Sequence, residues 1–195
     1  AVLAGSAGSL YAQQNQQTDT TPNLVQLGAE VYSRQCQRCH VPRSPGERDD
    51  RDWIIIMQHM QARANLTRQR ARAALAFLLA SNQSARRAAP HAGVAASLSE
   101  DDITDAMIRQ GRAVFHGTGG CAACHGADLG GGPIAPALAD ANWRNGDGSP
   151  TSILRIIRSG LDGTAMAAFP GGITDEEAVS VAAYVWAVAQ GRAAP

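Results

Sequence analysis

The chain has 195 residues and a formal net charge of zero, from 17 basic residues, all of them arginine, and 17 acidic residues. This length suits one large domain or two small ones. Beyond the N-terminal segment, no stretch approaches the roughly 20 apolar residues of a membrane-spanning helix. We therefore expect a soluble or peripherally held protein, and no nucleic-acid partner.

The charges are unevenly divided along the chain. Residues 23–97 carry eleven arginines and five acids, a net of +6, whereas residues 98–195 carry six arginines and eleven acids, a net of −5. Asp19 brings the total to zero. Opposite fields at the two ends of a protein favour different partners at each end, although charged residues also serve simply to solvate helix faces.

The N-terminal segment is apolar and rich in small residues over positions 1–12, and a Gln/Asn/Thr run follows. This pattern resembles the tail of a secretory signal peptide. We interpret residues 1–22 as residual signal peptide and flexible lead-in; a plain disordered tail or a membrane anchor at the start of a longer chain are the alternatives.

All four cysteines occur in two five-residue motifs. They are Cys36-Gln37-Arg38-Cys39-His40 and Cys121-Ala122-Ala123-Cys124-His125. C-x-x-C-H is the pattern of covalent haem attachment, in which both thiols join one macrocycle and the following histidine reaches the iron. A zinc site would favour closer cysteine pairs, and a redox C-x-x-C needs no adjacent histidine. We predict two covalently bound haem c groups (iron) and a periplasmic location, because such haem is attached outside the cytoplasmic membrane.

In the first half, a short helix from about Leu24 is expected to lead into the first motif. After a turn-rich loop, Asp49 or Asp50 can cap a second helix. A third helix is predicted from Arg68 to Leu79, after a break at Asn65-Leu66-Thr67. Residues 81–98 are small and polar with one proline and read as a linker.

The second helix carries the main candidates for the sixth ligand of the first iron. Helical geometry places Met60 about 20° and Met57 about 40° from Trp53 around the axis, and His59 about 120° away. The apolar face should meet the haem, so Met60 is favoured, with His59 and Met57 as alternatives. Of the other candidates, we assign His91 to the linker and His116 to the surface or the haem edge. Met107 is assigned to core packing. This half resembles a smaller type of cytochrome c domain, in which the methionine of a W-x6-M stretch is the sixth ligand.

The second half begins with Ser99 as a predicted N-cap, and apolar residues from Ile103 to Phe115 follow at helical spacing. Ser149-Pro150 opens a helix that ends at Gly160. Thr174 and Glu177 form a capping box at the start of the last helix.

Residues 100–191 resemble the class I cytochrome c fold. The resemblance rests on Gly111 to Phe115, on Ala135-Pro136-Ala137-Leu138, on Met166 in a Gly-rich loop and on Tyr184 in the last helix. It implies that the Pro136 carbonyl contacts His125 and that Met166 is the sixth ligand. Ala167 departs from the proline that commonly follows this methionine. The stretch from Asn142 to Gly148 is similar to cytochrome subunits of respiratory oxidases and dehydrogenases.

We therefore expect an all-α protein with two tandem cytochrome c domains. They comprise residues 23–80 and 99–195, joined by the linker 81–98. The predicted cofactor-binding residues are Cys36, Cys39, Cys121, Cys124, Trp53 and Pro136, and the predicted iron ligands are His40, Met60, His125 and Met166. No catalytic residue is predicted.

The expected function is single-electron transfer between a donor dehydrogenase and an acceptor cytochrome or oxidase, as a free carrier or as a subunit of an oxidoreductase complex. Membrane association would come through a partner or a lost N-terminal anchor. The alternative is a dihaem enzyme of the peroxidase or thiosulfate-oxidising type, which would need one open iron.

Overall fold

A computed structural model describes residues 23–87 and 97–195, and within these ranges the chain is helical and contains no strand. This agrees with the predicted all-α class. The predicted N-terminal segment, residues 1–22, and His91 lie outside the described residues. Among the described residues, no helix combines the length and the hydropathy needed to span a bilayer.

Seven α-helices occur within the described ranges. They are α1 (Leu24–Gln35), α2 (Asp50–Arg63), α3 (Arg68–Arg87), α4 (Asp105–His116), α5 (Ala122–His125), α6 (Pro150–Ser159) and α7 (Asp175–Ala189). Short 3-10 turns follow α1 and precede α2, α4 and α7.

Several helix ends are set by the capping residues that the sequence predicts. The side chain of Asp49 accepts a hydrogen bond from the backbone of Asp52 and begins α2. Thr174 and Glu177 form the expected capping box at the start of α7. Such caps satisfy backbone N–H groups that have no partner inside the helix.

Two predicted boundaries differ from the structure. Helix α3 ends at Arg87 and not at Leu79, so residues 81–87 of the predicted linker are helical. The extension is held by buried polar contacts, since Asn82 donates through Nδ2 to the Arg48 carbonyl and to Oδ1 of Asp50. Ser99 caps only a 3-10 turn, and Thr104 begins α4.

The two halves repeat one helix crossing. A Cβ at Gly28 of α1 would overlap the backbone of Ala73 in α3, and a Cβ at Gly111 of α4 would overlap the backbone of Ser180 in α7. Each pair of helices therefore touches backbone to backbone at a glycine. Four residues after each glycine stands an aromatic ring, and it packs against an aromatic ring of the crossing helix.

The two ring pairs have the same spacing but differ in tilt, with interplanar angles of 41° in the first half and 67° in the second. Tyr32 and Phe77 have centroids 5.6 Å apart in the first half, and Phe115 and Tyr184 have centroids 5.6 Å apart in the second. In both halves the first helix of the crossing precedes a C-x-x-C-H motif. The fold thus presents the two motifs on two similar frames.

The halves also contact each other. Nε2 of Gln26 donates to the His116 carbonyl over 2.8 Å, and the backbone N–H of Gly171 donates to Oγ of Ser81 over 3.1 Å. Ala123, inside the second motif, packs against the core of the first half. The second motif therefore lies near the surface that the halves share.

Candidate haem sites

The second motif forms a short helix that begins directly after a glycine turn. Cys121 precedes α5, and Cys124 and His125 lie within it. Both thiols are in apolar surroundings, and burial raises the pKa of Cys121 to about 12 and that of Cys124 to about 11. The thiols are therefore protonated at pH 7.

The ring of His125 is oriented by a backbone carbonyl. Nδ1 of His125 lies 3.0 Å from the oxygen of Pro136, as the resemblance implied. A carbonyl oxygen can only accept a hydrogen bond, so Nδ1 carries the hydrogen. Nε2 therefore keeps its lone pair free to bind a metal. Burial lowers the pKa of His125, which also favours the neutral ring. A neutral imidazole held by its other nitrogen is the usual form of a metal ligand.

One apolar cavity of about 290 Å³ brings the second set of predicted residues together. Cys121, Cys124, His125 and Met166 all line it, and so does Pro136. The rest of its wall is mainly aliphatic and aromatic and includes Leu138, Trp143, Ile153, Ile157, Phe115 and Val185. Two thiols, an imidazole nitrogen and a thioether sulfur around an apolar space fit a covalently attached haem.

Met166 is held in the cavity wall by its own backbone. Its N–H donates to Oγ1 of Thr164 over 3.1 Å, and its carbonyl accepts from the N–H of Leu161 over 3.0 Å. A Cβ at Gly160 would lie 2.7 Å from the Met166 carbonyl oxygen, so glycine is needed for this close approach. These contacts fix the main chain around the thioether.

The stretch from Asn142 to Gly148 contributes a second part of the wall. Trp143 lines the cavity, and a Cβ at Gly148 would overlap its indole ring. Gly148 has a φ of +79°, a conformation that glycine adopts without strain. The glycine therefore allows the chain to fold back onto Trp143.

The first motif lies closer to solvent. Cys36 ends α1 and is half-buried, whereas Cys39 and His40 are exposed. Nδ1 of His40 lies 2.9 Å from the carbonyl oxygen of Val41. Burial raises the pKa of Cys36 to about 11. The residue types fit a haem, but His40 is not enclosed as His125 is.

The loop after the first motif is anchored by two aromatic side chains. The hydroxyl of Tyr32 donates to the Arg43 carbonyl, and Nε1 of Trp53 donates to the Pro45 carbonyl over 2.7 Å. Burial and, to a lesser degree, the Cys36 thiol raise the pKa of Tyr32 far above its usual range, so the hydroxyl keeps its proton. Trp53, a predicted cofactor-binding residue, is thus also a support of this loop.

The candidate sixth ligands of the first site are separated by burial. Met57 is 5% exposed and belongs to the core, whereas Met60 is half-buried and packs on the same core as Cys36. His59 is exposed. The structure brings Cys36, Trp53 and Met60 to one core but leaves His40 at its surface.

Two residues that line or support the second cavity were missed in the sequence. Phe77 of α3 lines the cavity although it belongs to the first half, and Ser81 contacts the loop that follows Met166. The repeated pattern Gly-x-x-x-aromatic, at Gly28 and Gly111, was a detectable signal for the first-half crossing. Nothing local in the sequence indicates that α3 reaches the second cavity.

The family model of cytochrome c oxidase, cbb3-type, subunit III matches residues 106–185. The match supports a c-type cytochrome domain in this part of the chain. Such a domain implies a covalently bound haem c and a role in electron transfer. The match begins in α4 and ends in α7, so it spans the helix crossing and the cavity of the second half. No curated protein and no solved structure matches the chain.

Proposed function

We propose that the chain is a periplasmic dihaem c-type cytochrome that carries single electrons between a donor dehydrogenase and a terminal acceptor. It acts as a free carrier or as the cytochrome subunit of an oxidoreductase complex. The similarity of residues 106–185 to an oxidase subunit supports a redox partner of that kind.

The observation that supports a haem in the first half is the repeated frame. Each half has a helix with a glycine and an aromatic residue four positions later, a crossing helix with an aromatic partner, and a C-x-x-C-H motif after the first helix. The second of these frames lies in the part of the chain that matches the cytochrome family model. The same arrangement in residues 23–80 therefore supports a cytochrome c domain there as well.

In this proposal each residue has a defined role. Cys36 and Cys39 hold the first haem, and Cys121 and Cys124 hold the second. His40 and His125 are the proximal ligands.

The sixth ligands are methionines. Met60 is proposed for the first iron and Met166 for the second. Haem, when bound, supplies an iron that changes between the ferrous and ferric states. A histidine and a methionine would together leave no open position on each iron, which favours electron transfer over substrate chemistry, and methionine would raise the reduction potential.

The number of haems is tested by intact mass after denaturation. The wild-type protein should carry two haems, and Cys36→Ser/Cys39→Ser and Cys121→Ser/Cys124→Ser should carry one each. If the wild-type protein carries one haem and Cys36→Ser/Cys39→Ser still carries it, the dihaem proposal is excluded. Rapid stoichiometric binding of carbon monoxide to one ferrous haem would favour the enzymatic alternative.

A further inference from the structure

We propose that helix α3 of the first half braces the loop that carries Met166, with Ser81 and Phe77 as positioning residues for the second iron's sixth ligand. This inference rests on the proposed ligation by Met166. It adds that the first half is part of the second haem site, in addition to carrying its own motif.

Ser81 contacts the loop by a partly buried hydrogen bond. The serine is 1% exposed, and its Oγ accepts from the backbone N–H of Gly171 over 3.1 Å. Gly171 lies five residues after Met166 in the turn Pro170–Gly172. Loss of this bond would leave a partly buried N–H without its partner, which is unfavourable, so the bond resists movement of the turn away from α3.

Gly171 is also wedged against the segment that leads into the second motif. Its φ is +68°, and a Cβ there would lie 2.6 Å from the Thr118 carbonyl oxygen and 3.0 Å from that of Gly119. Gly119 in turn lies close to Cys121, since a Cβ on it would be 3.1 Å from Sγ. One turn therefore touches α3 on one side and the haem attachment segment on the other.

Phe77 provides the second contact, one helical turn before Ser81. Residues four apart lie on the same helix face, so both side chains of α3 face the second half. Phe77 is 4% exposed, packs against Tyr32 in the first core and lines the second cavity. Ala165, which precedes Met166, packs against the same first core.

The loop itself is rich in residues that favour flexibility. Gly160, Gly163, Gly171 and Gly172 lie between positions 160 and 172, and all four have positive φ. Glycine loses more backbone freedom on ordering than any other residue. A contact from the 20-residue helix α3 limits that freedom at Gly171, five residues after the methionine.

The test uses the haem-loaded protein and the variant Ser81→Ala. Ser33→Ala is the matched control, because Ser33 is a buried first-half serine whose hydroxyl bonds within its own helix. Two properties are measured: the rate at which added imidazole displaces the methionine of the ferric second haem, and the NMR line width of the iron-bound methionine methyl in the ferrous protein. Met166→Leu assigns both signals to the second haem.

We expect imidazole to enter the second site about fivefold to tenfold faster in Ser81→Ala, the change that matches the loss of one hydrogen bond, with a broadened methyl signal. Ser33→Ala should stay within about twofold of wild type. If imidazole enters at equal rates in the two serine variants and the signals are lost in Met166→Leu, α3 does not hold the loop, but Met166 is still the ligand. Signals that persist in Met166→Leu would instead overturn the ligand assignment.

Discussion

Nε2 of His116 lies 3.1 Å from the hydroxyl oxygen of Tyr184, at the crossing of α4 and α7. Tyr184 is fully buried, and burial raises its pKa, so the phenol stays protonated. Burial and the Arg112 charge lower the pKa of His116. The neutral imidazole is therefore the form that the fold stabilises.

This contact predicts an acid-side loss of stability. Because the folded-state pKa of His116 lies below its unfolded value of about 6.5, the unfolded chain binds more protons as the pH falls through that value, and stability decreases. His116→Gln should weaken the fall in denaturation midpoint between about pH 7.5 and 5.5. Variants are compared fully haem-loaded, because His125 also has a lowered pKa. If the denaturation midpoint falls equally with pH in the wild-type protein and in His116→Gln, the prediction is wrong.

Replacement of Met166 by leucine should open the second iron while preserving packing. Met-to-Leu exchange conserves side-chain volume and typically changes stability by less than about 1.5 kcal/mol. We expect loss of that haem's methionine–iron charge-transfer absorption and a lower reduction potential, measured by potentiometric titration. Met107→Leu is the control, because Met107 packs against the second core and does not line the cavity. An unchanged spectrum and potential would remove Met166 as a ligand.

The first iron is tested with Met60→Leu, Met57→Leu and His59→Gln. Only Met60→Leu should alter the first haem's absorption and potential, since Met60 is half-buried beside the core that holds Cys36, whereas Met57 is fully packed in that core. Electron paramagnetic resonance checks the result independently. A bis-histidine signal that is lost in His59→Gln would assign the ligand to His59.

The two helix crossings predict matched stability changes. Gly28→Ala and Gly111→Ala each place a methyl group into the backbone of the crossing helix, and overpacking of this kind costs about 1–3 kcal/mol or more. Gly46→Ala is the control, because the nearest atom to its Cβ would be 3.9 Å away. Denaturant unfolding followed by circular dichroism measures the difference. A Gly28→Ala variant as stable as Gly46→Ala would argue against a first-half crossing.

The charge division predicts separate docking faces. Arg68, Arg70 and Arg72 are exposed in the first turns of α3, so reversal of all three to glutamate should slow electron transfer with an acidic partner. Reversal of the exposed second-half residues Arg109 and Arg155 is the control. The effect should weaken with salt, because the Debye length is about 8 Å at physiological ionic strength. Equal slowing with donor and acceptor would exclude two separate faces.

Local signals account for most of what the sequence predicted correctly. The Asp49 and Thr174 caps depend on short motifs whose chemistry is local, whereas the contact from Pro136 to His125 was implied by the resemblance to class I cytochrome c. The end of α3 was mispredicted because Ser81 and Asn82 look like loop residues. Their hydroxyl and amide are satisfied by distant backbone groups, at Gly171 and Arg48. No pattern within α3 shows such partners.

Phe77 belongs to the interior of both halves, because it packs in the first core and also lines the second cavity. Two domains joined only by a tether would melt in separate steps, and their free energies of unfolding would be independent. A shared ring removes that independence. Heat or denaturant that loosens the first half would also expose the wall of the second cavity to water, so we expect the two halves to unfold together.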